Sequence, residues 1–186
     1  MTLQELAIKA RSGDERAMEQ LCRECMPRVE SVLAHLGAGA DKEELTQETL
    51  VRVLEKISSY RAMPGGSFEG WLYRVAYNVF IDSRRRKAKE NTLPLNEDIG
   101  VDGVDVESNL PQPDTALMNK ERDSKLWAAV NKLDDERRAM VVLRYYCDMS
   151  YAQIALTMKI SPARVKWRLH DALKSLKKLL EGDRNV

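Results

Sequence analysis

Cysteine, proline and glycine are scarce in this chain of 186 residues, at three, six and nine respectively. Three thiols, an odd number, fit reduced cysteines better than a disulfide framework. With glycine and proline confined to a few places, little interrupts helix formation, and an all-α fold is expected. No apolar run approaches the roughly 18 residues that span a bilayer, and the opening MTLQELAIKARSGD has no signal-peptide apolar region. The expected location is therefore the cytoplasm, without membrane insertion. The chain also lacks a phosphate-binding glycine loop and a nucleophile, base and orienter set, so catalysis, a cofactor and a catalytic metal are not expected.

Hydrophobic residues at 44% and charged residues at 32% are ordinary for a soluble globular protein. The net charge of +1 conceals a strong asymmetry. Residues 1–87 hold 14 Lys/Arg against 13 Asp/Glu, residues 88–115 hold 1 against 7, and residues 116–186 hold 15 against 9. The acidic middle, with Pro94, Gly100, Gly103, Pro111 and Pro113 and no clear periodicity, reads as a linker. It separates a helical domain at 1–87 from another at 116–186.

Thr2 and Glu5 form a capping-box pattern, Ser12-Gly13 a stop, and Asp14 a new start. The next helix is longer and amphipathic, and Pro27 is expected to bend or restart it. Asp41 and Glu44 are expected to cap a third helix that buries Leu45, Leu50, Val53, Leu54 and Ile57. Glu43, Gln47, Glu48 and Glu55 then make its exposed face acidic. Past the loop Ser58 to Ser67, which contains Pro64, Gly65 and Gly66, a long helix runs through FEGWLYRVAYNVFIDSRRRK. Phe68, Leu72, Val75, Ala76 and Val79 are its expected core contacts, leaving Arg74, Tyr77, Asn78, Arg85 and Arg86 to ligands. Aromatics interleaved with cations suit unpaired nucleic acid, since rings stack on bases while cations hold phosphates. About half of Trp71, Tyr73, Tyr77 and Phe80 are expected to be core instead.

SYAQIALTMKISPARVKWRLHDALKSLKK, residues 150–178, reads as two short helices joined by a tight turn. Ser150 with Gln153 is a capping box, and Ile154, Ala155 and Met158 give an apolar face. Ser161-Pro162 restarts a helix. Val165, Leu169, Ala172, Leu173 and Leu176 are expected to face inward, with Arg164, Lys166, Trp167, His170, Asp171, Lys174 and Lys178 outward. Such an outer face suits the major groove, although a solvated amphipathic helix has the same pattern.

Three blocks, DKEELTQETLVRVLEKI, GSFEGWLYRVAYNVFIDSRRRK and LDDERRAMVVLRYYCDMSYAQIALTMKISPARVKWRLHDALKSL, resemble regions 2 and 4 of bacterial extracytoplasmic-function (ECF) sigma factors. With the acidic linker between them, the resemblance covers nearly the whole chain. It implies two helical domains and a dissociable subunit that binds core RNA polymerase, directs it to promoter DNA and helps open the duplex. By this resemblance Glu44, Gln47, Glu48 and Arg52 dock on the coiled coil of the largest polymerase subunit, and region 4 meets the polymerase flap. Tyr60, Arg61, Ser67, Phe68, Tyr77, Asn78, Asp82, Arg85 and Arg86 serve the minus-10 element, where a base is extruded. Lys166, Trp167, His170 and Asp171 read the minus-35 element, Arg164 and Arg168 meet phosphates or internal partners, and Lys174 belongs to the same surface. The linker threads toward the polymerase cleft, and an anti-sigma factor is the expected inhibitory partner.

The sequence departs from the family pattern in four places. Trp167 stands where a small residue is usual, Asp171 and Leu173 where arginines are common, and Lys159 where the turn usually has glycine. Asp171 either accepts from a cytosine amine or pairs with a nearby cation such as Lys174. Two other readings remain. A stand-alone helix-turn-helix regulator predicts tight duplex binding without polymerase. Cys22-Arg-Glu-Cys25 suggests a redox or zinc sensor, but a second ligand pair at matching spacing is missing and structural packing is the expected role.

Overall fold

A computed structural model of the chain describes residues 1–61, 67–90 and 117–182, with side chains in the last stretch described from 123 to 181. Among the described residues there are eight α-helices and no strand. They are α1 (Leu3–Arg11), α2 (Glu15–Leu36), α3 (Lys42–Lys56), α4 (Phe68–Glu90), α5 (Leu117–Asn131), α6 (Asp135–Val141), α7 (Tyr151–Met158) and α8 (Pro162–Gly182). The chain divides into two compact units, Met1–Ala34 with Ala38–Asp105, and His35–Gly37 with Val106–Val186. The acidic segment expected at 88–115 falls outside the described residues from 91 onward; residues 88–90 continue α4.

In the first unit the local start signals act as expected at α1. Thr2 Oγ1 accepts from the Glu5 amide at 3.2 Å while the Glu5 carboxylate accepts from the Thr2 amide at 2.8 Å. Gly13, at φ +93, makes the turn, and Asp14 caps the restart by accepting from the Ala17 amide at 3.0 Å. Pro27 does not restart the helix: it lies inside α2, whose buried stripe of Leu21, Cys25, Val29, Val32 and Leu33 holds the helix on both sides of the missing amide proton. A second expectation fails outright. Asp41 makes no capping bond; its carboxylate pairs with Lys87 of α4 instead.

The core of this unit joins Leu6 and Ala7 of α1, the α2 stripe, Leu45 and Val53 of α3, and Phe68, Leu72, Ala76, Val79 and Phe80 of α4. Phe68, Leu72, Ala76 and Val79 recur at three- and four-residue spacing, so one apolar stripe fixes the rotation of α4. Leu54 is a correction: it is 41% exposed rather than buried, as is its neighbour one turn back, Val51, at 52%. A helix turns roughly 100° per residue, so Val53 and Leu54 cannot share one narrow stripe, and Val53 takes the core position.

In the second unit Asp134 caps α6, accepting from the Arg137 amide at 3.0 Å. A π turn, Val142–Tyr146, follows α6 and leads to the helix-turn-helix. Ser150 and Gln153 close both bonds of the expected capping box, at 3.2 and 2.7 Å. Lys159 takes the left-handed conformation (φ 56, ψ 44) that ends α7, the position a glycine would occupy without a Cβ penalty. Ser161 then accepts from the Arg164 amide at 3.3 Å, and Pro162 opens α8. Val165, Leu169, Ala172 and Leu176 are buried, with Ala172 and Leu176 packed among Ala129, Val130, Leu133 and Val141. Leu173 is a second correction, at 36% exposed, because its position on α8 lies at the edge of that stripe.

Candidate nucleic-acid interface

Glu44 and Gln47 are exposed on α3, beside Glu43 and the apolar pair Val51 and Leu54. The exposed face of α3 is thus acidic with an apolar strip, rather than acidic throughout. Glu48 and Arg52, expected on the same surface, are half-buried and tied together at 2.6 Å. Glu48 also accepts from Arg86 at 3.0 Å, and Arg52 donates to Asp82 at 3.0 Å. Alternating charges on α3 and α4 therefore lock the two helices side by side. Of the residues assigned to the minus-10 element, Asp82 and Arg86 are engaged in this network, whereas Asn78 and Arg85 are exposed.

Three of the assigned aromatics are packed into the core. Tyr60 is only 4% exposed, Phe68 is fully buried and Tyr77 is buried, so none offers a ring to a base in this conformation. Tyr60 packs on Phe68 edge to face, with centroids 5.2 Å apart, and lies 5.3 Å from Trp71. Burial also raises the Tyr77 phenol above its ordinary pKa. Of Trp71, Tyr73, Tyr77 and Phe80, half are core as expected: Tyr77 and Phe80 are buried, and Trp71 and Tyr73 are half-buried. Arg61 and Ser67 are exposed, and Ser67 Oγ caps α4 by accepting from the Gly70 amide at 3.1 Å. Residues 62–66 of the Tyr60 to Ser67 loop lie outside the described residues.

Sequence reasoning missed Gln4. Its Oε1 accepts from the Tyr60 hydroxyl at 2.8 Å and from the Phe68 amide at 3.0 Å. One α1 side chain thus holds both residues that bracket 62–66 closely in sequence. Arg11 adds a bond to the Tyr60 carbonyl at 3.2 Å. No spacing rule links a residue near the start of the chain to partners more than fifty positions on.

On α8, Arg164, Lys166, Trp167, His170 and Lys174 are exposed. Arg168 and Asp171 are not free. Arg168 pairs with Glu136 of α6, and Asp171 accepts from Arg137, with nitrogen–oxygen separations of 2.7 and 2.8 Å. Arg137 also pairs with Asp134. Of the two expectations for Asp171, a cytosine amine or a nearby cation such as Lys174, the structure has the ion pair, with Arg137 of α6 as the cation in place of Lys174.

Cys22 and Cys25 lie within α2, and Cys25 is fully buried. Burial pushes the Cys25 and Cys147 thiols up to about 12. Among the described residues no three His, Cys, Asp or Glu side chains stand close enough to hold a metal ion. No described helix is long and apolar enough to cross a membrane.

A four-helix unit carrying an exposed acidic helix, followed by a helix-turn-helix unit, is the paired architecture of sigma region 2 and region 4. The Sigma-70 region 2 family model matches residues 21–90, and the Sigma-70 region 4 model matches residues 123–176. The chain is 34% identical over 178 residues to the ECF RNA polymerase sigma factor SigE of Mycolicibacterium smegmatis, covering 94% of this chain and 66% of that relative. It is 30% identical over 149 residues to the ECF RNA polymerase sigma factor SigW of Bacillus subtilis, covering 78% of each. Its fold is similar to that of CnrH solved in complex with the cytosolic domain of CnrY, with a TM-score of 0.64, 22% identity and 97% of each chain covered. It is also similar to RpoE of Bartonella quintana, solved with the anti-sigma factor NepR, with a TM-score of 0.63, 20% identity, and 88% of this chain and 96% of that one covered. The chain belongs to the ECF group of the sigma-70 family, a non-enzymatic class of factors for promoter-directed transcription initiation.

Proposed function

We propose a specific division of labour along this sigma factor, in three parts: 1–87, an acidic connection at 88–115, and 116–186. The first part docks on the coiled coil of the largest subunit of core RNA polymerase through the exposed face of α3. Glu44 and Gln47 make the contact, flanked by Val51 and Leu54. Glu48 and Arg52 hold that helix against α4 rather than reach the partner. Exposed carboxylates steer assembly with a basic surface, and the apolar strip supplies contact area. The observation that carries this reading is the contrast on one helix: Glu48 is neutralised by two arginines, while Glu44 lies exposed one turn away.

For the minus-10 element, Arg61, Ser67, Asn78 and Arg85 are the exposed polar set, with Tyr60, Phe68 and Tyr77 as the packed base beneath them. Asp82 and Arg86 orient that set through the α3–α4 network. The minus-35 element meets α8 through Lys166, Trp167, His170, Lys174 and Arg164, whereas Arg168 and Asp171 fix α8 on α6. The 88–115 connection threads toward the polymerase cleft, and region 4 also meets the polymerase flap. The site of action is the cytoplasm, and an anti-sigma factor is the inhibitory partner; the Bartonella protein is solved in complex with an anti-sigma factor.

Adding the full chain to sigma-free core polymerase tests the reading. Selection from a randomised promoter library should recover one two-part consensus that supports transcription. Glu44→Lys should weaken holoenzyme assembly, most at low salt, where charge steering is strongest. Absence of any transcript across the library, or assembly indifferent to Glu44→Lys, would overturn it.

A further inference from the structure

Trp167 is the most exposed large hydrophobic residue of α8, at 68%. At roughly 100° per residue, it projects from α8 opposite the buried row Val165, Leu169, Ala172 and Leu176. On one side of it Lys166, His170 and Lys174 follow one another at four-residue spacing, all exposed. On the other side, toward α6, the charges of Arg168 and Asp171 are consumed by Glu136 and Arg137. A cavity of about 200 Å³ lies along that second side, lined by Trp167 and Met140, by the carboxylates of Asp134, Glu136 and Asp171, and by Arg137 and Arg168, which pair with them. Phosphates are drawn to the exposed cations Lys166 and Lys174, whereas Arg168 on the other side is held by Glu136. The duplex is therefore set over Lys166, His170 and Lys174, with the indole at the edge of its major groove.

An indole brings one N–H donor and a broad apolar face. In the major groove thymine is the base that presents a methyl group, and apolar side chains read it by contact. We propose that Trp167 reads a thymine 5-methyl group in the minus-35 element, so that this sigma factor selects T at one position by apolar contact rather than by hydrogen bonding. The inference rests on the placement of α8 on the minus-35 element. It goes further by naming the atom recognised. Arg168 and Asp171 then act as positioning residues that set the angle of α8 on α6.

The test uses holoenzyme made from the full chain and core polymerase, on a promoter recovered by selection. Each minus-35 thymine, on either strand, is replaced by deoxyuridine, which removes only the methyl group. Binding should weaken about fourfold at one position, the effect of one methyl buried from water, and Trp167→Ala holoenzyme should lose that discrimination while keeping its other base preferences. Trp167→Phe should retain part of it. The side chain is exposed, so these substitutions leave the core intact, and the uracil comparison needs no variant at all. If every uracil substitution is silent while a minus-35 consensus persists, the methyl reading is wrong and the placement of α8 stands. If the Trp167→Ala holoenzyme keeps its preference for thymine over uracil, the methyl is read by another residue. If selection yields no minus-35 consensus, both fail.

Discussion

Gln4→Ala is the perturbation whose consequence follows most directly from the geometry. The substitution deletes the acceptor for the Tyr60 hydroxyl at 2.8 Å and for the Phe68 amide at 3.0 Å. Each bond contributes roughly 0.5–1.5 kcal/mol net, and a buried donor left without a partner costs toward the upper end of roughly 1–3 kcal/mol. Tyr60 is buried, so its hydroxyl cannot recover a water without opening the aromatic cluster. The expected destabilisation of the first unit is about 2 kcal/mol. With a urea slope of roughly 1–3 kcal/mol per molar, the midpoint falls by about 1 M. Trp71 reports the change, since its ring lies 5.3 Å from Tyr60 and 5.4 Å from Phe68. Replacing Trp127 and Trp167 with phenylalanine isolates its fluorescence. Gln4→Glu keeps an acceptor for both donors and should recover most of the loss. In holoenzyme, Gln4→Ala should depress promoter opening, read by permanganate reactivity of unpaired thymines, more than it depresses binding to a closed duplex. Wild-type unfolding and opening in the alanine variant would refute the idea that α1 holds the two ends of the Tyr60 to Ser67 turn.

Three further outcomes are expected. Ser150→Ala removes one half of the α7 capping box and should cost about 1 kcal/mol, measured by thermal unfolding, with a parallel loss of minus-35 binding because the turn into α8 loosens. Lys159→Gly should stabilise the second unit by roughly 0.5–1 kcal/mol, since glycine enters the left-handed region without the Cβ penalty at some entropic cost; a lower unfolding temperature would contradict it. The buried thiols set a pH dependence. Cys25 and Cys147, held near 12 when folded against a usual value of 9.0, keep their protons after the unfolded chain has lost them. Their contribution is full below about pH 9 and disappears as the pH climbs toward 12, so urea midpoints should fall across that window. At pH 8 a thiol reagent should modify these two cysteines only once the chain unfolds.

Local signals in the sequence carried the helices with fidelity wherever one residue speaks to another three or four positions away. The Thr2–Glu5 and Ser150–Gln153 boxes, the Gly13 stop and the Pro162 start all depend on backbone groups within one turn, and all appear in the structure. Burial was legible where the apolar stripe was narrow, as in α4. It was misread where two adjacent apolar residues competed for one core position: Val53 excluded Leu54 from the core of α3, and Ala172 left Leu173 at the edge of α8. Polar partners were the least legible. Asp41 looked like a helix cap, yet Lys87 lies within reach in the fold and offers a full charge in place of a peptide dipole.

The same limit governs how the binding surfaces must be read. A charged residue on the outer face of a helix contacts a ligand only if no neighbouring helix has already neutralised it, and that depends on tertiary placement. Glu44 and Glu48 are equivalent in sequence pattern, one turn apart on an acidic helix; Arg52 and Arg86 distinguish them. Lys166 and Arg168 are likewise both cations on α8, and Glu136 distinguishes those. Half-exposed ion pairs of this kind add little to stability. Their effect is on specificity, because each removes one side chain from the set that DNA or polymerase can meet and fixes the angle of the helix that carries the rest. Reversing Glu136 to lysine tests the distinction: it removes the partner of Arg168 and sets a like charge against it, so α8 loses one of its ties to α6 and holoenzyme should bind every promoter more weakly. An altered preference at a single base pair, with overall binding unchanged, would show instead that Arg168 reads a base.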